Sequence, residues 1–264
     1  MNKKLKLFIS MLLVSLLCFV STTNIAATTH RTKEGVVVLY ITRHGKTMFN
    51  TVHRAQGWAD TPLTPEGCEV ATKLGVGLKE RKIFFTEAYS SDSGRARETA
   101  KLILKNNGQS NLNIKERKDL REVCFGNFEG ELDEVMWGAV GKELGYDSYD
   151  NYMSAISSGE ASVSEMLEVF KKLDTSGNSE DWNTTRKRME KELKTISERA
   201  AQNGGGKILI VSHGMAILSL ISDMTNEKPE GGQLSNASVT KIVYKNGRFF
   251  VKEIGNMNYI KTSE

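Results

Sequence analysis

Two of the chain's four histidines sit in the same local pattern. Val36-Val37-Val38-Leu39-Tyr40-Ile41-Thr42 leads into Arg43-His44-Gly45-Lys46-Thr47, and Lys207-Ile208-Leu209-Ile210-Val211-Ser212 leads into His213-Gly214-Met215. A neutral imidazole offers a lone pair for attack, or a proton relay near neutral pH. Arg43 puts a fork of fixed positive charge beside His44, which suits a phosphate rather than a neutral substrate. Gly45 and Gly214 lack a Cβ and are expected to let backbone amides approach an anion, with helix starts adding unpaired N–H groups. A lone histidine is usually a packing residue. Two, each ending an apolar run and each followed by glycine, point to one site.

The elements that must bring them together can be read from the patterning. Continuous β-branched runs suit strands buried on both faces of a parallel sheet, and ligands of open α/β sheets lie beyond the carboxyl ends of such strands. Thr64-Pro65-Glu66 reads as an N-cap, a first-turn proline and an acid opening a helix to about Lys79. Glu87-Ala88-Tyr89-Ser90 reads as a strand, followed by a helix from near Ser93 through Leu104; Leu112 to Lys115 suggests a further strand. Thr184 to Ala201 is a charged amphipathic helix stopped by Gly204-Gly205-Gly206. Ser238 to Tyr244 and Arg248 to Ile254 alternate around Asn246-Gly247, a hairpin signal, so the last strands should be antiparallel. The expectation is a three-layer α/β/α sandwich with a mostly parallel central sheet, an antiparallel C-terminal strand and a helical lid insertion over about 131–183.

Arg43-His44-Gly45 with Asn50, then Gln56-Gly57-Trp58 and Leu63-Thr64, resembles the histidine phosphatase superfamily in its phosphoglycerate-mutase-like branch. Three further segments agree in order: Ser90-Ser91-Asp92-Ser93-Gly94-Arg95-Ala96-Arg97-Glu98-Thr99, then Leu120-Arg121-Glu122-Val123-Cys124-Phe125-Gly126, then Val211-Ser212-His213-Gly214. The resemblance implies His44 as a nucleophile that carries the phosphoryl group, with Arg43 and Arg95 clamping the transferring oxygens and His213 adding a donor. It implies Glu122 as the group that protonates the leaving alcohol and then activates water. Burial raises such a carboxyl's pKa and the arginines lower it; the sequence leaves the balance open. Asn50, Gln56 and Gly57 are placed near the phosphate or the substrate by the same resemblance. His53 and His30 read as surface residues.

No cofactor is implied and no metal: positive charge comes from arginine, and no Cys, His and acid cluster has ligand spacing. Nor is there a Gly-rich nucleotide loop. The chain opens with Lys3, Lys4 and Lys6, an apolar run from Leu7 to Val20 and the small pair Ala26-Ala27, the order of a secretory signal over residues 1–27. The run is too short for a spanning helix, and Leu17 is too bulky for lipid processing at Cys18. Cleavage would leave 28–264 as one domain acting in the envelope or outside the cell, touching membrane only through an uncleaved signal. Losing three lysines and no acid lowers the formal charge from +4 to +1. That argues against a nucleic-acid partner, so the expected partner is a small phosphorylated substrate. Cys68 and Cys124 remain, paired or free; oligomeric state is not legible.

The reading is therefore an exported phosphomonoester hydrolase. One alternative is a cofactor-dependent phosphoglycerate mutase, but apolar Val123-Cys124-Phe125 stands where mutases carry basic and aromatic residues that hold the substrate. The acid phosphatase and phytase branch is less similar, since Met48 and Phe49 follow Thr47 and Gly214 follows His213. From another class, a non-catalytic surface interaction protein of the same fold has no need of His44, Arg43, Arg95, Glu122 and His213 together.

Overall fold

The two β-branched runs become adjacent strands in the middle of one six-stranded sheet. The computed structural model describes residues 35–229 and 232–260; the expected signal segment 1–27, with His30, lies outside the described residues. The strands are β1 (Val37–Arg43), β2 (Glu87–Ser91), β3 (Ile114–Arg117), β4 (Gly206–Ser212), β5 (Val239–Lys245) and β6 (Arg248–Asn256), in the order β3-β2-β4-β1-β5-β6. The first four run parallel, β5 pairs antiparallel with β1, and β6 with β5. Asn246 and Gly247 both take positive φ, 53° and 75°, the primed turn that the Asn-Gly pair favours between twisted strands.

Side chains alternate between two cores, as a period of two requires. Tyr40, Leu209 and Val211 pack under α2 (Pro65–Glu80) and α3 (Gly94–Asn107), where Leu74, Leu78, Ile103 and Leu104 are buried. Leu39, Ile41, Ile208 and Ile210 face α7 (Trp182–Gln202) and α8 (Gly214–Ile221), against Met189, Leu193, Ile217 and Leu220. This is the α/β/α sandwich expected, with helix boundaries within a few residues of the sequence reading. Thr64 caps α2 by accepting from the Gly67 amide at 3.1 Å.

The segment about 131–183 folds as three helices, α4 (Asp133–Glu143), α5 (Tyr149–Ser158) and α6 (Val163–Leu173). They share a third core of Met136, Val140, Tyr152, Leu167 and Phe170 with Val123 and Phe125 of the acid-bearing loop. A one-turn helix, α1 (Met48–Thr51), follows His44 and carries a reciprocal capping box between Thr47 and Asn50. Cys68 and Cys124 are both free thiols.

The loop after β1 crosses the start of α2 so closely that glycine is required on both sides. A Cβ on Gly67 would lie 2.0 Å from the Lys46 carbonyl oxygen, and one on Gly45 would lie 2.5 Å from that of Gly67. Gly45 therefore serves chain packing, and its amide donates to Thr99 Oγ1 at 3.0 Å rather than facing an anion. Backbone atoms cannot yield as a side chain does, so Gly67→Ala should lower stability by about 1–3 kcal/mol, several degrees in unfolding midpoint. Gly138→Ala in α4, where a Cβ meets nothing within 4 Å, should raise it by up to about 1 kcal/mol in the same thermal unfolding measurement.

Candidate active site

β1 and β4 are in register from Val37 opposite Gly206 to Arg43 opposite Ser212, so the two strands end level. His44 and His213 are the next residues, and their rings lie 5.2 Å apart at 61°. Both are buried, 3% and 0% exposed. His44 Nδ1 is 2.7 Å from the Gly45 carbonyl oxygen. A carbonyl only accepts, so the proton sits on Nδ1 and Nε2 keeps its lone pair. His213 Nδ1 is 3.0 Å from Arg95 Nη2, and a guanidinium only donates, which places that ring's proton on Nε2, facing Ser93 Oγ at 3.5 Å. Burial first, then Arg95 and Arg43, hold His44 well below the ordinary imidazole range, against the pull of the Gly45 carbonyl. His213 is likewise depressed by burial, then Arg95 and the neighbouring His44.

Arg95 is fully buried, and neutral oxygens surround much of it. Nη2 donates to the Gly57 carbonyl at 2.7 Å and more distantly to Gln56, while Nη1 donates to the Ala59 carbonyl at 2.8 Å and to Asp60 Oδ1 at 3.0 Å. Arg43 Nη1 donates to the Leu234 carbonyl. The Nε–H groups of both arginines are buried and have no acceptor among the described residues. A buried donor left unpaired costs about 1–3 kcal/mol, so each favours an acceptor atom brought in from outside. Among the described residues no group of three or more His, Cys, Asp or Glu is arranged to hold a metal ion.

Glu122 reaches the same site from the loop after β3. Its carboxylate accepts from the amides of Ala216 at 2.7 Å, Val123 at 3.0 Å and Met215 at 3.1 Å. Two amides at the start of α8 are thus engaged by the chain's own acid. Burial raises its pKa, and the three amides and Arg95 offset part of that rise, so burial prevails. The loop itself is gripped from behind. Arg188 donates to the carbonyls of Asp119, Arg121 and Glu122 at 2.7–3.0 Å while pairing bidentately with Glu180, whose carboxylate accepts from the Cys124 amide. Trp58 Nε1 donates to the Glu122 carbonyl at 3.0 Å, and Arg121 stacks over that indole instead of pairing Glu122.

Arg43, His44, Asn50, Gln56 and Glu122 line one cavity of about 250 Å³. Arg95 and His213 adjoin that lining, bonded to each other, with the His213 ring beside His44. Asn50 Oδ1 is engaged in capping α1, and the Gln56 side chain in bonds to Thr47 and Thr61. Gly57 contributes its carbonyl to Arg95 and packs so tightly that a Cβ would meet the Val123 oxygen at 2.1 Å. The sequence reading missed the residues that hold these loops. Glu129 accepts from the amides of Gly57, Trp58, Ala59 and Phe125 at 2.7–3.1 Å. Asp60 also caps α3 at Gly94, and Asn236 donates to the His44 carbonyl at 2.9 Å.

The depressed imidazoles make a pH prediction. In the unfolded chain both rings take protons below about pH 6.5, and in the folded chain they resist, so stability is held above that pH and lost as pH falls through it. The slope should reach about 2.7 kcal/mol per pH unit for the two rings. Glu122, with its pKa raised, acts with the opposite sign and offsets at most one ring. Chemical denaturation at stepped pH between 7.5 and 5 should show a flatter profile for His44→Gln/His213→Gln; an unchanged slope would contradict this account.

The chain was compared with known proteins. Residues 39–257 match the model of the histidine phosphatase superfamily (branch 1). A broad-specificity phosphatase of Saccharomyces cerevisiae is 30% identical over 234 residues, 87% of this chain and 90% of its own length. A 2,3-bisphosphoglycerate-dependent phosphoglycerate mutase of Parvibaculum lavamentivorans is 27% identical over 79% of this chain and 90% of its own. The crystal structure of phosphoglycerate mutase from Bacillus anthracis str. Sterne superposes with a TM-score of 0.79 at 48% identity, covering 86% of this chain and 96% of that one. With paired strand-end histidines, Arg43 and the buried Arg95, and an acid loop in family order, the chain belongs to branch 1 of the histidine phosphatase superfamily.

Proposed function

We propose that the chain hydrolyses phosphomonoesters without a metal, through a phosphohistidine on His44. The observation that carries this reading is the tautomer of His44: Nδ1–H held on the Gly45 carbonyl, Nε2 free, in a site where buried Arg95 and half-buried Arg43 each keep a buried Nε–H with no acceptor among the described residues. The Nε2 lone pair attacks phosphorus as the bond from phosphorus to the ester oxygen breaks. Glu122, starting as the acid that its raised pKa favours, gives its proton to the departing alcohol. Charge on the equatorial oxygens is met by Arg43, Arg95 and the Nε2–H of His213. Water then attacks the phosphohistidine, the Glu122 carboxylate takes its proton, and inorganic phosphate leaves a neutral His44.

A second reading is a phosphoglycerate mutase, the activity named for the Bacillus anthracis relative. It shares the first half-reaction and differs in returning the phosphoryl group to a second substrate oxygen. Turnover of 3-phosphoglycerate with a catalytic amount of bisphosphorylated primer, measured beside hydrolysis, separates the two. Action outside the cytoplasm is proposed from residues 1–27 alone, and a lid role for the three-helix segment from its position over the cavity.

On this reading His44→Ala should lower hydrolysis of a chromogenic phosphate ester in chelator by roughly 10⁴-fold or more and abolish acid-labile phosphorus on rapidly quenched protein. Equal rates for the two proteins would refute it. Glu122→Gln should cost about 10²–10⁴-fold on an alkyl phosphate. The loss should be much smaller with p-nitrophenyl phosphate, whose leaving group departs without a proton, and kcat for the two esters checks it.

A further inference from the structure

The cavity over His44 is lined by two unlike sets of residues. One, taken as its floor, is the polar set already described; the other, its roof, is Phe125, Met136, Trp137, Met153, Met166 and Met215, with Tyr149 and Gln233 adding two uncharged polar groups. From these surroundings we infer that the leaving group of the natural substrate is bulky and apolar: the esters best hydrolysed are phosphates of aromatic or branched alkyl alcohols, not of small carboxylated or bisphosphorylated acids. This deepens the phosphohistidine reading and rests on it.

Size, rigidity and charge support the inference. Apolar cavities of about 150 Å³ accept benzene, so about 250 Å³ holds a phosphate with a ring attached. The aromatic part of the roof is fixed before any ligand arrives: Phe125 and Trp137 each pack on Phe170, with ring centroids 5.5 and 5.3 Å away, and on each other at 6.4 Å. The four methionines are unbranched and polarisable, suited to fitting differently shaped apolar groups, so the class is broad rather than one compound. Charge on the roof side consists of Arg54 and Asp133. Arg54 is partly engaged, donating Nη1 to the Gly130 carbonyl at 2.7 Å, and Asp133 opposes any second anion. A leaving group with its own carboxylate or phosphate would therefore lose hydration and find on that side only the remaining N–H groups of Arg54, set against the like charge of Asp133.

The test uses alkyl esters with similar leaving-group chemistry, so that differences report the pocket: 2-phenylethyl phosphate against glycerol 3-phosphate and 3-phosphoglycerate, with His44→Ala as the blank. Burying one ring should raise kcat/KM about 10–100-fold for the phenylethyl ester over either polar ester. Met153→Lys, which puts a cation on a half-buried roof position, should narrow that ratio at least tenfold. Should this variant fail to fold, the ester panel on the unaltered chain decides by itself. Polar esters cleaved as well as the phenylethyl ester, in a His44-dependent way, would overturn the leaving-group inference and leave the phosphohistidine reading standing. No turnover of any ester, with no phosphoenzyme formed, would overturn both.

Discussion

Fully buried Arg95 and half-buried Arg43, set beside two buried imidazoles, fix the terms for everything around them, because four groups that can carry positive charge share a space largely closed to solvent. Arginine keeps its proton under almost any condition, so the rings must give theirs up. A neutral His44 is also the only form with a lone pair to offer. Electrostatics that would be unfavourable in an ordinary core thus favours the neutral ring that the proposed reaction needs, and an anion brought into the same space would relieve the excess charge.

Such an arrangement survives only if the arginines are solvated without being neutralised. Arg95 receives three backbone carbonyls and a single carboxylate, Asp60, while Arg43 receives the Leu234 carbonyl. Carbonyl dipoles stabilise the cation and leave its net charge for a ligand. The loops that supply them are fixed by carboxylates one layer further out, Glu129 on four amides and Glu180 paired with Arg188. Glu122 is treated in the opposite way: its hydrogen bonds come from amides, and burial outweighs them and Arg95 to raise its pKa above the ordinary carboxyl range.

Much of this was legible in the sequence because it is local. The β-branched runs, the Thr64-Pro65 cap, the Asn-Gly turn and the histidine-glycine steps each announce themselves within a few residues, and the family motifs lie in order. What escaped reading is long-range and made with the backbone. Glu129 looks like any exposed loop acid, and nothing nearby tells that its four partners lie at Gly57, Trp58, Ala59 and Phe125. Asn50 and Gln56 were expected at the substrate; they line the cavity, but their side-chain dipoles are turned largely to holding the loop. Gly45 was expected to admit an anion, and its real constraint is a helix start passing behind it. Backbone partners carry no residue identity, so no pattern in the chain could name them.

The three-helix segment enters and leaves the domain at two stitched points. At one edge the Ala55 amide donates to the Glu131 carbonyl while the Ala55 carbonyl accepts from Gly130, and at the other the Glu180 amide donates to the Cys124 carbonyl while the Glu180 carboxylate accepts from the Cys124 amide. Between these seams lie Met136, Trp137, Met153 and Met166, while His44, Arg43 and Glu122 all lie outside them. On the reading proposed above, the reacting groups and most of the apolar roof, all but Phe125 and Met215, thus have separate addresses in the chain, and the stretch between the seams can change in length or composition without altering His44, Arg43 or Glu122.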